Sequence, residues 1–257
     1  MEGTINKALS RAIRTIEIMA KNKFPMRLQE IANKVGIPES TALRILNTLI
    51  TYGYAQQDHL SKHYLLTLKI SYLGNLVKSS LDIRKIARPY LEELSRVCEE
   101  SASLVIEQNM EAVYIDFVEG PDKLLRTLAL IGRAAPLHTT AVGKCLLLNY
   151  SSLDIERYIE IKGLVKLTNN SITSREKLLD ELKKVRNNGY AVDNEECEVG
   201  VRCVAAPIRD YMDKIIASIS ITGPTTRLTK DMIEKLKDMV IQTAKKISFH
   251  FGSSGSI

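Results

Sequence analysis

A two-domain chain of the α+β class is predicted here, and three observations carry that expectation. At 257 residues the chain is long for one hydrophobic core. Its excess positive charge is confined to one end: residues 1–80 hold 11 Lys/Arg against 5 Asp/Glu, whereas residues 81–257 hold 25 of each. Apolar residues recur at helical spacing up to about residue 78. Beyond that point, alternating apolar runs broken by turn residues interleave with further helical patterns. The basic end is expected to meet a polyanion, and the neutral remainder is not.

Composition narrows the class. Hydrophobic content of 45% with 26% charged residues is that of an ordinary globular protein. No apolar run approaches the ~20 residues needed to span a bilayer. The start, MEGTINKALSRAIRT, is basic but lacks the apolar centre of a secretory signal. A cytoplasmic protein with no membrane partner is expected. Cys98, Cys145, Cys197 and Cys203 have no CxxC spacing and are too sparse for a disulfide framework, so they read as reduced thiols. Cys98, in LEELSRVCEE, reads as helix filler.

Within the basic end, Ala8, Ile13, Ile16, Ile18 and Met19 supply the stripe of a first helix ending near Lys21-Asn22-Lys23. Leu28, Ile31, Ala32 and Val35 mark a short second helix. Gly36-Ile37-Pro38-Glu39-Ser40 then forms a turn. Glycine allows the tight bend, Ile37 plugs the angle between helices, and Pro38 suits the first turn of the next helix. In that third helix Leu43, Leu46, Leu49 and Ile50 are expected to face inward. Two helices joined by such a turn make a helix-turn-helix. Residues 54–66 read as strand, polar turn, strand, with His59, Lys62 and His63 at the tip: a wing to lie along a phosphate backbone. Arg27, Ser40, Thr41, Arg44, Asn47, Thr48 and Lys62 are the expected DNA contacts. Hydroxyls at the helix start, with Arg and Asn further along, suit phosphates and base edges in a major groove. The two histidines are expected to be surface loop residues rather than metal ligands.

A further helix over Thr67–Lys78 is apolar on two faces, through Leu68, Tyr72 and Leu76 and through Ile70, Leu73 and Val77. Such a helix implies a partner, and helix-turn-helix modules commonly read two half-sites as dimers. A homodimer or homotetramer is expected. The domains are expected at 1–80 and 81–251, with 252–257 as a flexible tail.

The second domain alternates helices and strands. Asp82 starts a helix, and Pro89–Glu100 is helical. Residues 102–108 and 112–118 are strands about an Asn109-Met110-Glu111 turn. Leu124–Leu130 reads as another strand, Gly143–Leu148 as the opening of a helix, and Ser174–Asn188 as a longer one. Val201–Ile208 and Lys214–Ile221 form a second hairpin, and Lys230–Phe249 is a closing helix. Hairpins with helices around one sheet indicate an α+β domain.

One segment concentrates polar groups beside core-forming residues: Gly189–Asp210, GYAVDNEECEVGVRCVAAPIRD. It reads as the wall of a pocket. Pro136–Lys144, PLHTTAVGK, places Thr139 or Thr140 as the cap of a helix. The N–H groups of Ala141, Val142 and Gly143 would then be exposed to an anion.

Taken together, RAIRTIEIMA, LQEIANKVGIPESTALRILNTL, YGYAQQD…HYLLT, APLHTTAVGKCLL, the Gly189–Asp210 segment and Ile219–Pro224 resemble the IclR family of transcriptional regulators over nearly the whole chain. The resemblance implies a winged helix-turn-helix followed by a GAF-like effector-binding domain, assembled as a dimer or tetramer. It also implies that Asp193, Cys203, Ser218 and Ser220, at positions that contact small carboxylate effectors in family members, join Ala141, Val142 and Gly143 in the effector pocket. Glu195 and Glu196 are read as solvated loop acids. The expected function is a DNA-binding transcriptional regulator, not an enzyme, tuned by a small carboxylate metabolite and needing no cofactor.

Two other readings use the same residues. Cys145, Cys197 and Cys203, with His138, have the ligand types of a zinc or thiol-redox sensor, though not its spacing. Cys203, His138 and Asp193 have the ingredients of a thiol enzyme, but a cysteine within a strand is poorly placed for attack.

Overall fold

The computed structural model describes residues 5–22, 24–120 and 131–253, with the backbone alone for 77–80. It divides into two compact units, Met1–Leu81 and Asp82–Ile257.

In the first unit, helix α1 (Lys7–Lys21) starts where the Asn6 side chain accepts from the N–H groups of Ala8 and Leu9. Helix α2 (Leu28–Val35) ends on Gly36 at φ +76°, and the N–H groups of Gly36 and Ile37 both return to the Ala32 carbonyl. A Cβ would be strained in that conformation, so glycine fixes the turn into α3 (Glu39–Thr51). Ile37 packs against the core of Met19, Met26, Ile31, Val35, Leu46 and Tyr64. Strands β1 (Ala55–Gln57) and β2 (Tyr64–Leu66) pair antiparallel, and Met26 bridges to Tyr64. This is the winged helix-turn-helix.

Several details depart from periodicity. Leu43 faces outward at 38% exposure and Ala42 takes the buried place. Pro38 precedes α3 rather than entering its first turn, and its carbonyl accepts the N–H groups of Thr41 and Ala42. In α1, Ile13 is exposed while Thr15 is buried. Thr15 tolerates burial because its hydroxyl donates to the Arg11 carbonyl. Helix α4 (Lys69–Ser80) is tied back by Lys69 Nζ, which donates to the Tyr52 carbonyl at 2.7 Å. Leu68, Tyr72, Leu73 and Leu76 stand exposed. The Val77 side chain lies outside the described residues.

The second unit opens with α5 (Ile83–Cys98), one continuous helix that runs through Pro89, where the sequence suggests a second start. Strands β3 (Ser101–Gln108) and β4 (Glu111–Val118) form a hairpin whose Asn109 and Met110 both have positive φ. After β5 (Ala134–Pro136) come α6 (Ala141–Leu147), α7 (Ser152–Lys162) and α8 (Arg175–Asn188). Strands β6 (Ala191–Asn194), β7 (Val201–Arg209) and β8 (Ile215–Pro224) follow, then α9 (Lys230–His250). The sheet is antiparallel throughout, in the order β5-β4-β3-β8-β7-β6.

Alternation of side chains divides the sheet between two cores. Leu104, Val204, Ala206, Ile219 and Ile221 pack on α5 and α9. Val105, Cys203, Ala205 and Ala191 pack on α6, α7 and α8. The α+β class holds. Short β5 and β6, and α7, are not evident from periodicity, and the Leu124–Leu130 strand lies outside the described residues.

Candidate functional site

On α3, Ser40, Arg44, Asn47 and Thr48 are exposed, and Thr41 is half-buried. The Thr48 hydroxyl donates to the Arg44 carbonyl, which leaves its lone pairs outward. Arg44 and Asn47 have no side-chain partner among the described residues, so both can reach out without breaking an internal hydrogen bond. In the wing, Asp58 accepts from the N–H groups of Leu60 and Ser61, which shapes the turn. The turn brings Lys62 to its tip at φ +59°, exposed. Arg27, exposed at the start of α2, donates from Nε to His63 Nε2 at 3.3 Å. This joins α2 to the wing.

On the α6 side of the second unit's sheet, Asp193 pairs with Cys203, Cys203 with Thr222, and Ser103 with Ser220. These residues form a polar strip on a buried face. Thr222 donates to Cys203 Sγ at 3.2 Å, and the Ser103 and Ser220 hydroxyls lie 2.7 Å apart. Asp193 is 3% exposed, and its Oδ1 accepts from the N–H groups of Glu196 and Cys197. Burial pushes its carboxyl up to about 7, against the pull of those bonds. Ser218 lies further along β8, fully buried, with its hydroxyl spent on the Ala206 carbonyl. Asp193, Cys203 and Ser220 are therefore brought together, and Ser218 supports them from below. Tyr114, Thr139 and Cys197 face the same strip; sequence reasoning passes over Tyr114 and gives Thr139 and Cys197 other roles.

Thr140 caps α6, and its hydroxyl accepts the Gly143 N–H at 3.1 Å. This corrects the expectation of three exposed N–H groups: Ala141, Val142 and Gly143 are all buried, and that of Gly143 is taken. Glycine is needed at 143 for packing, since a Cβ would fall 2.3 Å from the Leu137 carbonyl oxygen.

Glu196 is a second correction. It is 7% exposed, and its Oε1 lies 2.6 Å from Nζ of Lys144, which is itself fully buried. Lys144 also donates to Glu181 at 3.1 Å and to the Val192 carbonyl at 2.8 Å. Glu196 Oε2 has no hydrogen-bond partner among the described residues. Burial raises the Glu196 carboxyl, and Lys144 opposes that rise. The Glu195 carboxylate accepts the Gly200 N–H, so it shapes the turn.

The zinc and enzyme readings lose their geometry. Among the described residues no group of three or more His, Cys, Asp or Glu is placed to hold a metal ion. Burial pushes Cys145 and Cys203 up to about 12 and Cys197 up to about 11, the reverse of an activated thiol. His138 is buried, with Nδ1 2.7 Å from the Tyr158 hydroxyl and Nε2 3.1 Å from the Val165 carbonyl. Nε2 must then donate, Nδ1 accepts, and burial holds the ring neutral. It is a core histidine with no spare nitrogen. A cleft of about 290 Å³ between α9 and the sheet, lined by Val192, Asn194, Arg202, Lys230 and Glu234, lies on the other face from Asp193 and Cys203.

A winged helix-turn-helix joined to an α+β unit with a buried polar strip defines a ligand-responsive, DNA-binding transcription regulator. Residues 8–59 match the IclR helix-turn-helix domain, and residues 75–249 match the bacterial transcriptional regulator IclR C-terminal domain. The chain belongs to the IclR family of transcriptional regulators. It is 36% identical over 225 residues to the HTH-type transcriptional regulator KdgR of Escherichia coli, covering 88% of this chain and 85% of that protein. It is 30% identical over 250 residues to the acetate operon repressor of Salmonella typhimurium, covering 96% and 91%. The crystal structure of the Thermotoga maritima IclR superimposes with a TM-score of 0.61 at 32% identity, covering 95% of this chain and 98% of that one. Among the described residues no helix is long and apolar enough to cross a membrane.

Proposed function

We propose that this regulator reads a double-stranded operator by placing α3 in the major groove and the wing along the phosphates, as a homodimer or homotetramer. The row Ser40, Arg44, Asn47 on α3, exposed and with both long side chains unengaged, carries the reading. Thr41 and Thr48 border that row, and Arg27 and Lys62, at the wing, add two exposed cations. The exposed apolar residues of α1 and α4, Leu9 and Ile13 with Tyr72 and Leu76, support self-association.

The effector is a small carboxylate metabolite, held between the start of α6 (Ala141 and Val142, with Gly143 packed against Leu137) and the strip of Asp193, Cys203 and Ser220, with Ser218 beneath. Support comes from the unusual density of buried hydroxyl, thiol and carboxyl groups on one sheet face. Binding there favours one arrangement of the DNA-reading units and shifts operator affinity, a coupling typically worth about 1–3 kcal/mol.

The test uses genomic fragments selected by the wild-type protein as operator DNA. Arg44→Ala is expected to weaken binding by roughly 1–3 kcal/mol, as removal of a bidentate base interaction does. Ser220→Ala is expected to retain operator binding and blunt the response to ligand. Operator affinity unchanged in Arg44→Ala would sink the docking of α3.

A further inference from the structure

Two carboxylates and one ammonium meet behind the polar strip that carries Asp193. Lys144 has three N–H groups and spends them on Glu196, Glu181 and the Val192 carbonyl, so none remains for a ligand. Asp193 gives Oδ1 to two backbone N–H groups, at 2.7 and 3.3 Å, while Oδ2 accepts no hydrogen bond among the described residues. The charged and titratable groups facing Asp193 are Lys144 on α6, Glu196 and Cys197 in the turn after β6, Cys203 on β7 and Tyr114 on β4. Arg133, ahead of β5, is exposed to solvent. The thiols and the phenol are held neutral by burial, and Lys144, the buried cation among these groups, is already committed to two other acids.

We propose that the pocket binds a carboxylate together with one proton, shared between the ligand and Asp193 Oδ2. The inference rests on the reading of this sheet face as the effector pocket, and it adds how that pocket is regulated. Two ionised carboxylates brought together out of water repel, and such a pair keeps one proton between its oxygens. The proton comes from solvent and returns there on release. Burial has already brought Asp193 up to about 7, so the uptake falls in the neutral range. Below that range Asp193 is already protonated, and binding draws no further proton. Above it each binding event takes up one, and affinity falls about tenfold per pH unit.

Calorimetric titration of the full-length protein with short mono- and dicarboxylates, acetate to adipate, tests this in phosphate and in Tris, whose ionisation enthalpies differ. For any acid that binds, the expected result at about pH 8 is uptake of about one proton, declining towards zero at about pH 6. Asp193→Asn, which supplies a permanent donor in place of the acid, is expected to bind with no uptake and a flat pH profile. A bound carboxylate whose enthalpy is the same in both buffers at the higher pH overturns the inference alone. So does uptake that persists in Asp193→Asn. If that variant does not fold, the comparison of buffers with the wild-type protein decides by itself. Binding by no acid of the series overturns the carboxylate reading, and the inference with it.

Discussion

Lys144 Nζ lies 2.6 Å from Glu196 Oε1, with the lysine fully buried and the glutamate 7% exposed. The pair joins α6 to the turn after β6, 52 residues further along the chain. Buried ions are costly to bring out of water, and removing one partner leaves the other uncompensated. Lys144→Met is therefore expected to lower stability by about 3–5 kcal/mol near neutral pH. Burial already raises the Glu196 carboxyl, and without its counter-ion it would rise further. The deficit should then be smallest at pH values below the unfolded carboxyl range, where only the bond to the Val192 carbonyl is lost, and grow as pH rises towards the folded value. Urea unfolding at several pH values measures it, and a deficit independent of pH would contradict the pairing.

Gly143→Ala separates packing from ligand binding. The new Cβ would meet the Leu137 carbonyl oxygen at 2.3 Å and Leu137 Cα at 2.5 Å, both backbone atoms that cannot swing aside. A loss of about 1–3 kcal/mol or more is expected from overpacking, read as a lower midpoint of thermal or urea unfolding without any ligand.

Lys62 is predicted to act through charge alone. Lys62→Asn removes the ammonium and keeps a residue type that tolerates the φ of +59° found there. Operator and unrelated DNA should weaken alike, and the slope of log affinity against log salt should become shallower by about 1 for each phosphate no longer neutralised. A change confined to the operator sequence would argue for base reading instead.

Thiol chemistry offers a fourth check. Cys145 and Cys203 are buried and pushed up to about 12, so iodoacetamide at neutral pH should leave both unmodified in the folded protein. Zinc bound to purified protein should stay below roughly a tenth of an equivalent, since the spacing of the cysteines suits no ligand set. Rapid alkylation of Cys203 would revive the nucleophile reading.

Much of the first unit is legible in the sequence because its signals are local. Leu28, Ile31, Ala32 and Val35 lie one helical turn apart, and Gly36 ends their helix through its own backbone freedom. The outward row of α3 follows from the same periodicity. Leu43 escapes it: Ala42 and Leu43 are both apolar neighbours on the helix, and which of them is buried depends on how α3 packs on the rest of the unit, which no local pattern contains. In the second unit the Asp193–Cys203 neighbourhood is legible through the family resemblance. Lys144 leaves a signal too, a lone charge inside VGKCLLL, but its partner Glu196 does not. Burial of that glutamate depends on a turn folding over α6.

The sequence alone determined the helix-turn-helix, the basic first end, the two-domain order and the family, because periodicity, turn chemistry and charge are properties of neighbouring residues. Tertiary structure decided which polar groups are buried and what each one meets. It turned a supposed solvated acid into the partner of a buried lysine, and it took the Gly143 N–H out of use. It also left Asp193 with one unengaged oxygen. The reason is physical: desolvation and pairing depend on the meeting of distant segments, which happens only once the sheet and α6 have packed.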